Sequence, residues 1–309
     1  MNKKQLELRQ HREFGLIISD YLEFIKYNFK GFFNIFIRYN GIFMLLFLGV
    51  SYMMVTGFMG LVRSQAAGSY NTSVEADFML YFGGGMLLFF ILFSVVALLN
   101  YSISSSYMVT YEKEKTTEID AKKVWQLISS KLGDIIIFVL LLIVLYLVAF
   151  VAGVIINFIP IIGMFAYYLM MFTLSAWSGM SFMALLFDNK SAIEAFGEGF
   201  KLLSNNYWKC IGVNLVLGIL IFVLLMAVYL VPGMISALYV FHTVETNANV
   251  WDSGWATVMF TFTFFVLMLA SIFSHALQQF GNGMLYFTLH EEMYNLNIRS
   301  KIDQIGEDL

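Results

Sequence analysis

The residues best placed to do chemistry lie on one face of the last apolar stretch. Ser271, His275, Gln278 and Asn282 follow one another at steps of four, three and four, which brings them to one side of a helix, with Ser274 and Gln279 beside them. An imidazole among amides and a hydroxyl can relay a proton or solvate a polar cargo. The same groups can equally spend themselves on hydrogen bonds between helices. Polar side chains in a spanning helix are costly unless they face the bundle or a wet cavity, so both readings place this face inward. Candidate partners are Asn214 and Asn100. The other histidines, His11, His242 and His290, are scattered, and His290-Glu291-Glu292 lacks the second histidine of a zinc-binding helix. No phosphate-binding loop or nucleophile elbow is present, and Gly83-Gly84-Gly85 reads as a close helix contact. No catalytic residue, cofactor site or metal site is expected, and the chain reads as a non-enzyme.

The elements that carry these residues are set by where charge is missing. Residues 135–187, 39–62, 78–111, 211–244 and 253–290 contain no Asp, Glu, Lys or Arg. Hydrophobic residues make up 60% of the chain and charged ones 13%, outside the range of soluble domains. A helical crossing needs about 20 apolar residues. The fold class is therefore all-α and polytopic, with six spans expected at 41–62, 78–103, 134–157, 161–187, 209–232 and 256–285. The break within the longest block falls at Asn157-Phe158-Ile159-Pro160, since proline cannot continue a helix from the preceding turn. The domain plan is an interfacial segment at 1–40, a six-helix domain at 41–287 and a tail at 288–309. No cleavable leader is expected, because Lys3 and Lys4 are followed by polar residues.

Orientation follows from the basic residues. Of 18 lysines and arginines, all but Arg63 fall in segments on one side of this plan. Positive charge stays on the cytoplasmic side, so both termini are expected there, with 63–77 and 241–254 outside. Trp251 and Trp255 fit an interfacial belt. The lone cysteine, Cys210, excludes a disulfide within the chain. Net charge is near zero, and no nucleic-acid partner is expected.

Two inner segments look alike. Thr117-Glu118-Ile119-Asp120-Ala121 pairs with Ser191-Ala192-Ile193-Glu194-Ala195, and Trp125-Gln126-Leu127-Ile128-Ser129 with Phe200-Lys201-Leu202-Leu203-Ser204. Ser191 and Glu194 form a capping box, and Thr117 with Asp120 a shorter version. After Ser191, the residues Ile193, Phe196, Phe200, Leu203 and Tyr207 make an apolar stripe, which predicts a helix lying in the headgroup layer over 191–206, with a second over 117–130. A looser stripe of Phe14, Ile17, Tyr21, Phe24 and Ile25 precedes the first span. The plan is three units, each an interfacial helix followed by a hairpin; the blander alternative is ordinary juxtamembrane helices. Both leave lysines near anionic headgroups, so membrane phospholipids, other membrane proteins and self-association are the expected partners.

The run Phe187-Asp188-Asn189-Lys190-Ser191-Ala192-Ile193-Glu194-Ala195-Phe196, then Phe200 to Ser204, then Tyr207-Trp208, resembles the glycerophosphoryl diester phosphodiesterase membrane-domain family. Tyr286 to Leu289, continuing to Gly306, is similar to Bacteroidetes-type members. The resemblance implies a six-helix architecture in the inner membrane of a bacterium. No phosphodiesterase activity is expected from it, because the resemblance is to the membrane part alone and the activity belongs to a separate catalytic barrel of about 250 residues. The expectation is a non-catalytic component of a membrane assembly that binds partners or lipid. The alternative is a small-molecule or lipid transporter or channel that uses the polar face of the sixth span.

Overall fold

A computed structural model describes residues 5–68, 72–246, 253–297 and 299. Every regular element among them is helical: α1 (Phe14–Ala66), α2 (Thr72–Phe78), a π-helical turn (Met79–Gly83), α3 (Gly84–Glu114), α4 (Ala121–Ser130), α5 (Leu132–Ile156), α6 (Ile162–Phe187), α7 (Ala192–Asn205), α8 (Tyr207–Glu245) and α9 (Gly254–Tyr294). Six helical stretches among the described residues are long and apolar enough to cross a membrane, as the charge-free runs predict. The protein is an all-α, multi-pass membrane protein.

Four of the spans are much longer than expected. α1 has 53 residues, against about 20 for a crossing, and passes residue 40 without a break. The N-terminal segment is therefore no separate interfacial helix. Its charges do not end the helix because Asp20 is paired inside the protein while Lys26 and Lys30 face outward. The stripe Ile17, Tyr21 and Phe24 is buried and extends through Asn28, Phe32 and Ile35, so this face meets protein, although Phe14 stays exposed. α8 likewise continues past the expected stop at Pro232 to Glu245, where proline leaves the carbonyl four residues earlier without its helical donor. α9 runs on to Tyr294, beyond the expected tail boundary.

The hairpin between α5 and α6 turns where proline predicts. Asn157 donates back to the Gly153 carbonyl at 2.8 Å, and Ile162 N–H donates to the Pro160 carbonyl at 2.7 Å across Ile161, at φ 63° and ψ −62°. That is a γ-turn of the strained hand, unusual for a β-branched residue. Gly163 follows because a Cβ there would run into the Ile156 carbonyl.

The two inner segments form separate short helices. α7 opens with the expected capping box: the Ser191 hydroxyl accepts from Glu194 N–H at 3.5 Å, and Glu194 accepts from Ser191 N–H at 3.0 Å. α4 starts later than expected. Its cap is Asp120, accepting from Lys122 N–H at 2.9 Å, and Thr117 lies outside the helix.

The chain divides into two compact units, one of Met1–Ile35, Tyr101–Leu220 and Ala276–Leu309 and one of Phe36–Asn100 and Ile221–His275. α1, α3, α8 and α9 contribute to both. The first unit holds α4 to α7 and most of the buried charge. In the second, α1 and α3 approach closely. A Cβ at Gly57 would meet the Phe82 backbone at 2.7 Å, and one at Gly85 would meet Met54 Cγ at 2.7 Å. Of the glycine triplet, Gly85 makes the expected close contact, while Gly83 and Gly84 face open space.

Candidate functional site

The predicted polar face of α9 does not act as one set. In the second unit, the Ser271 hydroxyl lies 2.7 Å from Tyr229 OH and donates to the Leu267 carbonyl at 2.9 Å. His275 is half-buried, meets Phe93 edge-on at 5.4 Å, and hydrogen-bonds to no described residue. In the first unit, Gln278 donates to Asn214 Oδ1 at 2.8 Å and lies 3.5 Å from Ser175 Oγ. Asn282 donates to the Ser175 carbonyl at 3.1 Å. Asn214 is thus the expected partner. Asn100 serves elsewhere, accepting from Asn40 at 2.7 Å in the second unit. Gln279 is the more deeply buried neighbour, donating to Ser105 Oγ at 2.7 Å and the Gly179 carbonyl at 3.3 Å. A Cβ at Gly179 would collide with the Asn282 amide, so glycine lets α6 and α9 close over this network.

The α7 stripe is also divided. Ile193 is 73% exposed and Phe200 53%, while Leu203 is 2% exposed and packs inside with Ala195, Gly199 and Leu202. Phe196 stacks on Phe138 at 4.4 Å, and its carbonyl accepts from Trp177 Nε1 at 2.9 Å. Tyr207 OH lies 3.1 Å from the Thr173 hydroxyl. The face that the helix buries against protein is the small-residue face, which lets Gly199 approach Ser181.

Sequence reasoning missed a charged network in the first unit. Arg12 is buried and donates to Asp20 at 2.7 Å, the Leu8 carbonyl at 2.6 Å, Thr288 Oγ1 at 3.2 Å and the Glu7 carbonyl. Burial lowers its affinity for the proton against the pull of Asp20. Arg9 pairs with buried Glu291 at 3.4 Å and lies over the Phe187 ring. Together these tie residues 6–13 to α3 and α9, where Tyr111 OH also donates to the Leu6 carbonyl at 3.0 Å.

A second group joins the α6–α7 loop to α9. Tyr286 OH donates to Asp188 Oδ2 at 2.8 Å, and His290 Nε2 lies 3.5 Å from the same oxygen. Lys190 pairs with Glu198 at 2.6 Å, which accepts from Tyr294 OH at 2.8 Å. Burial would raise the Asp188 carboxyl, but His290, Tyr286 and Lys190 hold it below its ordinary value. Glu198 is lowered in the same way, with Lys190 and Tyr294 outweighing burial, and Lys190 is raised as Glu198 and Asp188 outweigh its own burial. The available signal was the spacing of Tyr286, His290 and Tyr294 at steps of four; their carboxylate partners are about a hundred residues away in sequence.

The second unit holds two apolar cavities. One of about 440 Å³ lies beside the π-helical turn, lined by Met54 and Phe58 of α1, Phe82, and Phe260, Phe264 and Leu267 of α9, among others. The other, about 500 Å³, lies between α8 and α9 beside Pro232. Thr263 borders both, and its hydroxyl is engaged with Ser236 at 3.0 Å. The volumes fall in the range of about 300–1,000 Å³ typical of small-ligand sites. No group of three or more His, Cys, Asp and Glu among the described residues is arranged to hold a metal ion.

No protein-family model, no curated protein and no solved structure matches this chain.

Proposed function

We propose that this protein is a non-catalytic, lipid-binding component of a bacterial inner membrane, with both termini cytoplasmic, and that its second unit holds a lipid acyl chain. The observation that carries this reading is the 440 Å³ cavity beside the π-helical turn. Its walls are Met, Val, Leu and Phe side chains, and its one hydroxyl, Thr263, already has a partner. A polar solute would lose its water there without compensation. A hydrocarbon chain loses nothing, and such chains surround every spanning helix. Self-association or docking of other membrane proteins belongs to the same proposal. The buried titratable groups Arg12, Asp20, Glu198 and Glu291 of the first unit are each engaged with an opposite charge, which supports a structural role for them. Transport along α9 draws less support, since Gln278 and Asn282 are engaged with α6 and α8 while His275 stands apart.

The test is native mass spectrometry of protein released from mild detergent. Wild type should retain phospholipid. Leu267→Trp, which fills the cavity, should lose one bound lipid, whereas Leu230→Trp on an exposed position of α8 should not. Equal retention by all three would overturn the assignment.

A further inference from the structure

The first part of α1 carries two opposite faces, one buried and one exposed. Ile17, Tyr21, Phe24, Asn28 and Phe32 are buried. Leu22, Lys26, Phe29, Lys30 and Phe33 are exposed and fall within an arc of about 100° on the other side. Phe29 and Phe33 stack at 5.5 Å with their planes 10° apart, making a flat aromatic patch between the lysines. Lys26 and Lys30 form no ion pair with a described residue; Asp20 is turned inward to Arg12, and half-buried Glu23 stands at the edge of this face, next to Lys30 in helical projection.

Contacts within the first unit connect α1 to α7 by way of α9 and α6. Phe32 packs on Phe280 at 4.5 Å. The next residue on α9, Gln279, reaches the Gly179 carbonyl of α6. One half-turn further along α6, Ser181 meets Gly199 of α7. The buried face of α1 is thus linked through α9 and α6 to α7, whose Ile193 and Phe200 are exposed.

We infer that the Leu22–Phe33 face of α1 binds the headgroups of anionic phospholipids, in the leaflet that meets α7. The chemistry is complementary at each point. Leu22, Phe29 and Phe33 enter the acyl boundary, as apolar faces of interfacial helices do. Lys26 and Lys30 lie along it on flexible stems, with their ammonium groups reaching the phosphates. Each lysine at such a surface favours an anionic lipid by about fivefold. The inference rests on the membrane reading above but not on the acyl cavity, because it concerns headgroup charge at a different surface.

The experiment uses the full chain in vesicles, with a fluorophore at Ser19→Cys, an exposed position on the same face. Cys210 is buried and stays unlabelled. Quenching by trace phosphatidylglycerol bearing a headgroup nitroxide is compared with quenching by the matching phosphatidylcholine. Wild type should favour phosphatidylglycerol several-fold, and the preference should shrink in 1 M salt, where the screening length is about 3 Å. Lys26→Gln with Lys30→Gln should bring it to parity, and Lys26→Arg with Lys30→Arg should keep it. Equal quenching by both lipids in wild type would overturn the inference, as would a preference that survives the double glutamine variant or high salt. The wild-type salt titration decides the matter even if the glutamine variant fails to fold. Loss of the cavity lipid without loss of this preference would reject the acyl site alone.

Discussion

Arg12→Ala is the sharpest test of what holds residues 6–13 against the first unit. The guanidinium is 2% exposed and donates five hydrogen bonds: to Asp20, to Thr288 and to the carbonyls of Leu8, Gln10 and Glu7. Truncation leaves the Asp20 carboxylate, 6% exposed, without its counter-charge. Removing one partner of a buried ion pair costs about 3–5 kcal/mol, most of it the penalty of the charge left behind. Asp20 keeps one donor, Gln10 Nε2 at 3.0 Å, which places the expected loss at the lower end, about 3 kcal/mol. At roughly 2 °C or more per kcal/mol for a large chain, the melting temperature in detergent should fall by at least about 6 °C. Arg12→Met with Asp20→Leu removes both charges at similar volume and should recover most of the loss, because a buried pair is often replaceable by apolar residues. The assay is thermal unfolding followed by tryptophan fluorescence. A fall below about 2 °C for the single variant, or a double variant as unstable as the single one, would refute the reasoning that desolvated charge dominates here.

Two glycines of the α6–α7 region should respond in opposite directions. Gly179→Ala drives a Cβ into Asn282 and should destabilise by about 1–3 kcal/mol, whereas Gly197→Ala meets nothing within 4 Å. The latter should gain up to about 1 kcal/mol from helix propensity; parallel melting curves check both. Asp188 and Glu198, held below their ordinary carboxylate values, contribute stability that is complete above about pH 4 and disappears as pH falls through their depressed values. Lys190, raised, contributes stability that persists below about pH 10 and fades above it. Asp188→Asn should therefore flatten the acid side of a pH–stability curve, and an unchanged acid limb would contradict the network. His275→Leu loses no hydrogen bond to a described residue and should change stability by under about 1 kcal/mol; a larger loss would show that the imidazole has a polar partner after all.

The six crossings were legible because hydrocarbon tolerates almost no charge, so runs such as 135–187 stand out without knowledge of packing. Helix lengths were not legible, for a related reason. Asp20, Lys26, Lys30 and Arg38 look like a boundary, yet a helix continues through charges that are paired inside or turned outward. Periodicity identified the Ile17–Tyr21–Phe24 stripe, but a period says that a face is covered, not by what, and here protein covers it. On α7 the small residues Ala195 and Gly199 carry the protein contact, while the larger Ile193 and Phe200 remain outside. On α9, Gln278 found Asn214 as expected, but His275 did not join, because spacing fixes a shared side of one helix and not the partners on its neighbours. The Asp188–Tyr286 pairing needs contact between segments 98 residues apart, which no local pattern encodes. The expected outer loops over 63–77 and 241–254 and the tail at 288–309 fall partly outside the described residues, including Ser69, Asn247, Trp251 and Ser300.

The central claim, that the second unit holds a lipid chain, is tested most directly by a phospholipid carrying a diazirine in its acyl tail. After reconstitution and illumination, cross-links should concentrate on peptides bearing Met54 to Met59, Phe82 and Phe260 to Leu267, and should fall in Leu267→Trp. Cross-links spread evenly over exposed helix faces, with Ile136, Leu140 and Val144 of α5 labelled as strongly as the cavity, would contradict it.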